Sequence, residues 1–187
     1  MPAGHRAFLA LISPLLCLII FASPALAADP PTLGFLGVHF QNDNEGLEPT
    51  TDKERARRVR TGEEFTQQLA ASGRFKILPT SDASQAKIAS GQAVGECGGC
   101  EIDYGRALGA DYVAWIRVQK VSNLILNMNA YIADVKSGRT ILTKSVDLRG
   151  NTDDSWSRSL SYLVKNSVLK ADIRPSGSLG PPAAAPD

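Results

Sequence analysis

Read by the alternation of apolar and polar positions, the first half of the chain predicts strands and helices in turn. "TLGFLGVHFQ", Thr32 to Gln41, is apolar on both alternating sets, Leu33/Phe35 and Leu36/Val38/Phe40, as expected of a central strand covered on two faces. Turn formers in "NDNEGLEPTTD" end it. From Lys53 to Ser72 apolar residues recur at Ala56, Val59, Phe65 and Leu69, near helical spacing, and Gly73 supplies a stop. "RFKILP", Arg74 to Pro79, reads as a second strand, and a strand-helix-strand unit of this kind favours parallel pairing. A short polar helix, "DASQAKIAS", leads into a loop with two cysteines, and "IDYGRALGA" predicts a helix capped at Gly109.

The second half alternates with period two. In "DYVAWIRVQKV" one face carries Tyr112, Ala114, Ile116 and Val118, and the other Val113, Trp115, Arg117 and Gln119. "LILNMNAYIADV" sets Leu124, Leu126, Met128, Ala130 and Ile132 against Asn127 and Asn129, and "TILTKSVDL" sets Leu142, Val146 and Leu148 against Thr143, Ser145 and Asp147. One side packs and the other is largely wet, the pattern of an antiparallel meander. Its last connection, "DVKSGRT", places Gly138 where a tight hairpin wants a positive φ. Finally Trp156, Leu160, Leu163, Val164 and Val168 form an amphipathic helical stripe, with Thr152 or Asp153 available to cap it. The predicted order is β-α-β-(α)-α-β-β-β-α: a mixed α/β, or α+β, two-layer sandwich of a five-stranded mixed sheet with helices.

The ends of the chain bear on compartment. "MPAGHRAFLALISPLLCLIIFASPALA" has a cation, an apolar run from Ala7 to Ala22 and the small-residue site Ala25-Leu26-Ala27, which reads as a secretory signal peptide over residues 1–27. Cys17 follows the bulky Leu16 and is expected to be an ordinary member of the apolar run, not a lipidation site. A single domain is expected over 28–173, and the Pro/Gly/Ala-rich residues 174–187 are expected to be a disordered tail. No later stretch reaches the roughly 18 apolar residues of a membrane span. The expectation is a periplasmic or secreted protein, cleaved near Ala27.

Charge narrows the partners. With 20 basic and 19 acidic residues, the chain offers no electrostatic footprint for nucleic acid. Its one biased run, "KERARRVR" from Lys53 to Arg60, reads as a solvated helix face or, alternatively, a contact patch for an acidic partner.

Chemistry centres on Cys97-Gly98-Gly99-Cys100. A thioredoxin-like site wants its first cysteine at a helix N-terminus after a strand, whereas "GQAVGE" precedes this pair. A c-type haem site wants histidine where Glu101 stands. Zinc wants about four ligands, and the exported chain has two cysteines and His39. A structural disulfide is the expected state in an oxidising compartment, with a redox couple and metal binding as alternatives. Asp153-Asp154-Ser155 has no histidine near it in sequence and is explained by helix capping. No catalytic residue, metal ligand or cofactor site is assigned.

The runs "LGADYVAWIRVQKVSN", "LILNMNAYIADVKSGR" and "SVDLRGNTDDSW" together resemble a family of short secreted bacterial proteins known only as a domain of unknown function. Its most specific pieces here are Gln119 to Asn123 and Gly150 to Trp156, and the paired cysteines ahead of Ala110-Asp111-Tyr112 are similar too. More distantly, the order of elements is similar to envelope domains of the TolB N-terminal and CsgG type. That resemblance implies a non-enzymatic module that binds or supports another envelope protein. The expected working surface is Trp115, Arg117, Gln119, Asn127, Asn129 and Tyr131 on the meander, with Asn151, Asp153 and Trp156 in the loop after it. A periplasmic thiol-disulfide protein using Cys97 and Cys100, or a small-ligand carrier, are the rival expectations.

Overall fold

A computed structural model describes residues 29–173; the expected signal peptide, Cys17 and the expected tail lie outside these residues. Among the described residues five strands form one sheet: β1 (Thr32–Asn42), β2 (Lys76–Leu78), β3 (Tyr112–Lys120), β4 (Leu126–Asp134) and β5 (Arg139–Leu148). Their spatial order is β2-β1-β3-β4-β5. β1 runs parallel to both β2 and β3, while β3, β4 and β5 are antiparallel neighbours. The helices are α1 (Asp52–Ala71), α2 (Asp82–Ser90), α3 (Cys100–Leu108) and α4 (Asp153–Leu163), the last running on into a π-helical turn, Val164–Val168. This is the mixed α+β architecture that the patterning predicts.

The main core lies between the sheet and the helices α1 and α4. Tyr112, Ala114, Ile116 and Val118 of β3 and Met128, Ala130 and Ile132 of β4 meet Phe65 and Leu69 of α1 and Trp156 and Leu160 of α4 there. All five residues of the predicted last-helix stripe are buried. The inner stripe of α1 differs from the one predicted. Phe65 and Leu69 point inward, but the helix is buried further along at Thr61 and Glu54, while Ala56 and Val59 are exposed. At about 100° per residue, Ala56 stands nine residues before Phe65 and so falls on the opposite side of the helix. Once the larger aromatic ring docks, the smaller residues lose the choice of face.

The opposite face of the sheet is not uniformly wet. Leu36, Val113, Trp115, Ala133 and Val135 form a second, smaller core under α3 and the loop before it, with Val94 and Ile102. Gly105 makes this possible, because a Cβ there would stand 2.5 Å from Val135 Cγ2 and 2.7 Å from Val113 Cγ1. The two-layer sandwich therefore carries a partial third layer at one end.

Candidate functional site: a polar platform and the network beneath it

The runs Gln119 to Asn123 and Gly150 to Trp156 meet at one end of the sheet, where Asn151 N donates to Asn123 O at 3.1 Å. Lys120, the last residue of β3, buries its ammonium against Glu54 Oε1 at 2.8 Å, and both side chains are almost wholly enclosed. Glu54 is also half of a capping box: Thr51 N and Oγ1 donate to Glu54 Oε2 at 2.7 and 2.8 Å, and Glu54 N donates to Thr51 Oγ1. Asn151 donates from Nδ2 to Glu54 Oε1 at 2.6 Å and to Asn123 Oδ1 at 3.0 Å. Its Oδ1 accepts from Trp156 Nε1 and from Arg57 Nη1, each at 3.0 Å. Burial pushes the Glu54 carboxyl up, but the hydrogen bonds from Lys120, Thr51 and Asn151 outweigh it and bring it down to about 2.

This network fixes Asn151, Asp153 and Trp156 in structural contacts. Asp153 accepts from Arg57 Nε at 2.6 Å and pairs with Arg60 at 3.1 Å, contacts that hold its carboxyl below the usual range. Arg55 pairs with Asp52. Much of the cationic run is therefore spoken for inside the molecule. Thr152, not Asp153, caps α4, its Oγ1 accepting from Ser155 N at 3.2 Å. Sequence reasoning missed the Glu54–Lys120 pair, although two signals point to it. Lys120 continues the apolar parity of Ile116 and Val118, and Thr51-x-x-Glu54 has the capping-box spacing.

Arg117, Gln119, Asn127 and Asn129 lie on the other face. The register sets them in two rows across four strands: Gln41, Gln119, Asn127 and Asp147 in one, His39, Arg117, Asn129 and Ser145 in the other. None of these eight side chains is buried. Asp43 accepts from Gln41 Nε2 at 2.8 Å and Gln119 Nε2 at 2.7 Å, and Asn129 Nδ2 donates to Asn127 Oδ1 at 2.7 Å. Arg117 pairs with Glu96 at 2.7 Å, while its Nε is enclosed without a hydrogen-bond partner among the described residues. Burial, and then the charge of Arg117, lower the His39 pKa and so favour the neutral imidazole.

The next row inward is aromatic. Trp115 and Tyr131 stack with centroids 5.0 Å apart and planes at 9°. Trp115 is covered, only 4% exposed, because the loop before α3 lies on it: a Cβ on Gly95 would stand 2.9 Å from Trp115 Nε1. Tyr131 is half-buried and borders the platform. So the expected surface residues separate into a platform group, a covered tryptophan, and a loop group held in the network on the opposite face.

The cysteine loop ends at this aromatic row. Cys97 and Cys100 are joined as a disulfide, and α3 starts at Cys100. Glu101 Oε2 lies 3.4 Å from Cys97 Sγ. These three are the one His/Cys/Asp/Glu group among the described residues close enough to share an ion. Sulfurs bonded to each other are not thiolates, and the thiolate is the metal ligand. Among the described residues no helix is long and apolar enough to cross a membrane.

The sequence profile of the DUF3280 family, described as "Protein of unknown function (DUF2380)", matches residues 31–168, from β1 to the end of the π-helical turn. The chain belongs to this family. No curated protein matches it. Among solved structures, this DUF3280 chain is similar to lipoprotein GNA1162 from Neisseria meningitidis, with 13% identity and a TM-score of 0.50 over 77% of this chain and 100% of that one. It is also similar to the LpoB C-terminal domain from Salmonella enterica, at 17% identity, TM-score 0.47, covering 67% and 87%. The structure of TolB from Acinetobacter baumannii matches at 16% identity and TM-score 0.43, over 74% of this chain and 28% of that one. At 13% identity, the likeness of the DUF3280 chain to GNA1162 is one of fold.

Proposed function

We propose that this DUF3280 chain is an exported, non-catalytic module of the cell envelope, periplasmic or secreted, that binds an envelope protein or supports its assembly. The platform of Arg117, Gln119, Asn127 and Asn129, with Tyr131 at its border, is its working surface. The observation that carries the reading is the division of a single sheet face. Its α3 end is packed and dry, while the other end keeps two rows of polar side chains, one at mid-strand through Arg117 and Asn129 and one near the strand ends through Gln119 and Asn127, within strands where asparagine is a poor former. Arg and Tyr are also among the residues over-represented at binding hot spots. The strongly shifted Glu54 carboxyl is accounted for by a contact that builds the fold, so it does not call for catalysis.

Affinity capture from an envelope extract tests this, with the unaltered chain beside an Asn127→Ala/Asn129→Ala variant and an Arg117→Ala variant. Loss of the same captured protein from both variants is the expected result. Identical capture by all three would sink the platform. Turnover in an insulin-reduction assay, dependent on Cys97 and Cys100, would replace the reading with a thiol-disulfide one.

A further inference from the structure

The sheet contains a gap. β1 is eleven residues long and β2 only three, and the two pair at Thr32, Leu33 and Gly34 alone. β3 holds the other edge of β1 as far as Asn42. From Phe35 onward, the edge of β1 that faces away from β3 has no strand beside it among the described residues. A cleft of about 680 Å³ runs there. Five successive residues of β1, Phe35 to His39, touch it. Side chains of a strand alternate between faces, so contact with all five places the cleft at the strand's edge, from which it reaches over both faces to Trp115 and Ile116 of β3.

Its walls fit that position. Val59 and Gly62 of α1 close one side, Ile88 of α2 and Val94 close the other, and Ile77 and Leu78, where β2 stops, close one end. The space is the place that a strand in line with β2 would occupy. Thr80 Oγ1 reaches Phe35 O at 3.4 Å, a side-chain hydroxyl standing where backbone pairing has ended. The register breaks between Phe35 and Val38, where Gly37 has φ 102° and nothing within 4 Å of a Cβ position. A bulge at that point aims the edge outward without a side chain in the way. Exposed strand edges are ordinarily blocked by proline, lysine or a short length. The edge from Phe35 to His39 carries neither proline nor lysine, and its one irregularity is the bulge at Gly37; apolar residues wall it.

Charge marks one end of the slot. Arg58 lines it and forms no ion pair among the described residues, whereas its neighbours Arg57 and Arg60 are held by Asp153. Glu63, a little over one helical turn on, also lines the cleft, so the slot is cationic near His39 and anionic toward β2. We infer that the slot receives an extended segment of a partner protein, which adds to β1 as a strand through backbone hydrogen bonds. The segment has apolar residues at alternate positions to fill the walls and an acidic residue at the end that meets Arg58. Five residues of β1 offer roughly 16 Å of edge, a usual strand length. Peptides recognised by strand addition take affinity from the main chain and specificity from alternate side-chain pockets. The inference does not depend on the platform, and its variants leave the tested platform residues untouched.

A displayed library of eight-residue peptides, panned on the secreted form of the chain, tests it. The enriched peptides are then synthesised, unmodified and N-methylated at alternate backbone positions, and titrated by calorimetry. Enrichment of alternating apolar sequences with an acidic end is expected. N-methylation should weaken them roughly thirtyfold, as for the loss of about two net hydrogen bonds. Val59 is an exposed helix position, so Val59→Trp should fill the slot and weaken binding at least about tenfold while leaving the melting temperature close to that of the unaltered chain. Arg58→Ala should weaken acidic-ended peptides about threefold and spare their neutral counterparts. The inference is overturned by failure to enrich any peptide over the Val59→Trp chain, or by peptides indifferent to N-methylation. Binding of decanoate in place of any peptide, or self-association that Val59→Trp abolishes, overturns it equally.

Discussion

The chain has two tryptophans, both nearly sealed from solvent, and they occupy opposite faces of the same sheet. Trp156 enters from α4 into the main core, packs on Phe40 with centroids 5.7 Å apart, and donates Nε1 to Asn151 in the network that joins α1, β3 and α4. Trp115 rises from β3 on the other side, stacked on Tyr131 beneath a loop that leaves no room for a side chain at Gly95. One tryptophan is held by two helices and a polar network, the other by a neighbouring ring and a loop clipped by Cys97–Cys100. The sheet is thus secured from one side, which frees the other to be half packed, half polar and open at the β1 edge.

That contrast can be broken experimentally. Trp156→Ala should cost about 5 kcal/mol and Trp115→Ala about 3 kcal/mol, the upper and lower ends of the range for buried tryptophan truncations, measured by denaturant unfolding. Equal costs would mean that the two faces share the load. Lys120→Met should cost about 4 kcal/mol, because it leaves the Glu54 carboxylate buried without its cation.

Acid sharpens this second prediction. The folded-state pKa of Glu54 lies at about 2, below its ordinary 4.5, so its stabilising contribution is complete above 4.5 and is lost as pH falls toward 2. In Lys120→Met the carboxyl loses the partner that holds it down, and burial then favours the protonated form. The stability difference between variant and unaltered chain should shrink through that window, read from unfolding midpoints at pH 6, 4 and 3. The smallest effect belongs to the second face. Reduction of Cys97–Cys100 should cost about 2 kcal/mol by the loop-entropy estimate for so small a ring. Trp115 emission should change on reduction and Trp156 emission should not, which single-tryptophan variants can resolve.

Much of the fold was legible in the residues, and particular misses explain the remainder. The strand pattern of β3, β4 and β5 and the stripe from Trp156 to Val168 are local periodicities, and they hold except at Leu124, expected on the packed face of β4 but standing before the strand begins and 82% exposed. The stripe of α1 was legible only at Phe65 and Leu69, because two small apolar residues, Ala56 and Val59, do not outweigh one ring in choosing the docked face. The platform residues Arg117, Gln119, Asn127 and Asn129 were legible as a polar face. That Trp115 on the same parity would be covered was not, since the cover is a loop with no periodicity of its own.

By itself, then, the sequence determined which segments alternate, which repeat as helices, the order in which they come, and that two cysteines stand near enough to join. Only the tertiary structure decided that Lys120 would be buried on Glu54, that Asn151 would bridge runs almost thirty residues apart, and that β2 would stop after three residues and leave a slot along β1. The physical reason is the range of the forces. Backbone periodicity and capping act over a few residues and are written locally, whereas burial of a charge and the length of a strand's partner depend on what the folded chain brings alongside.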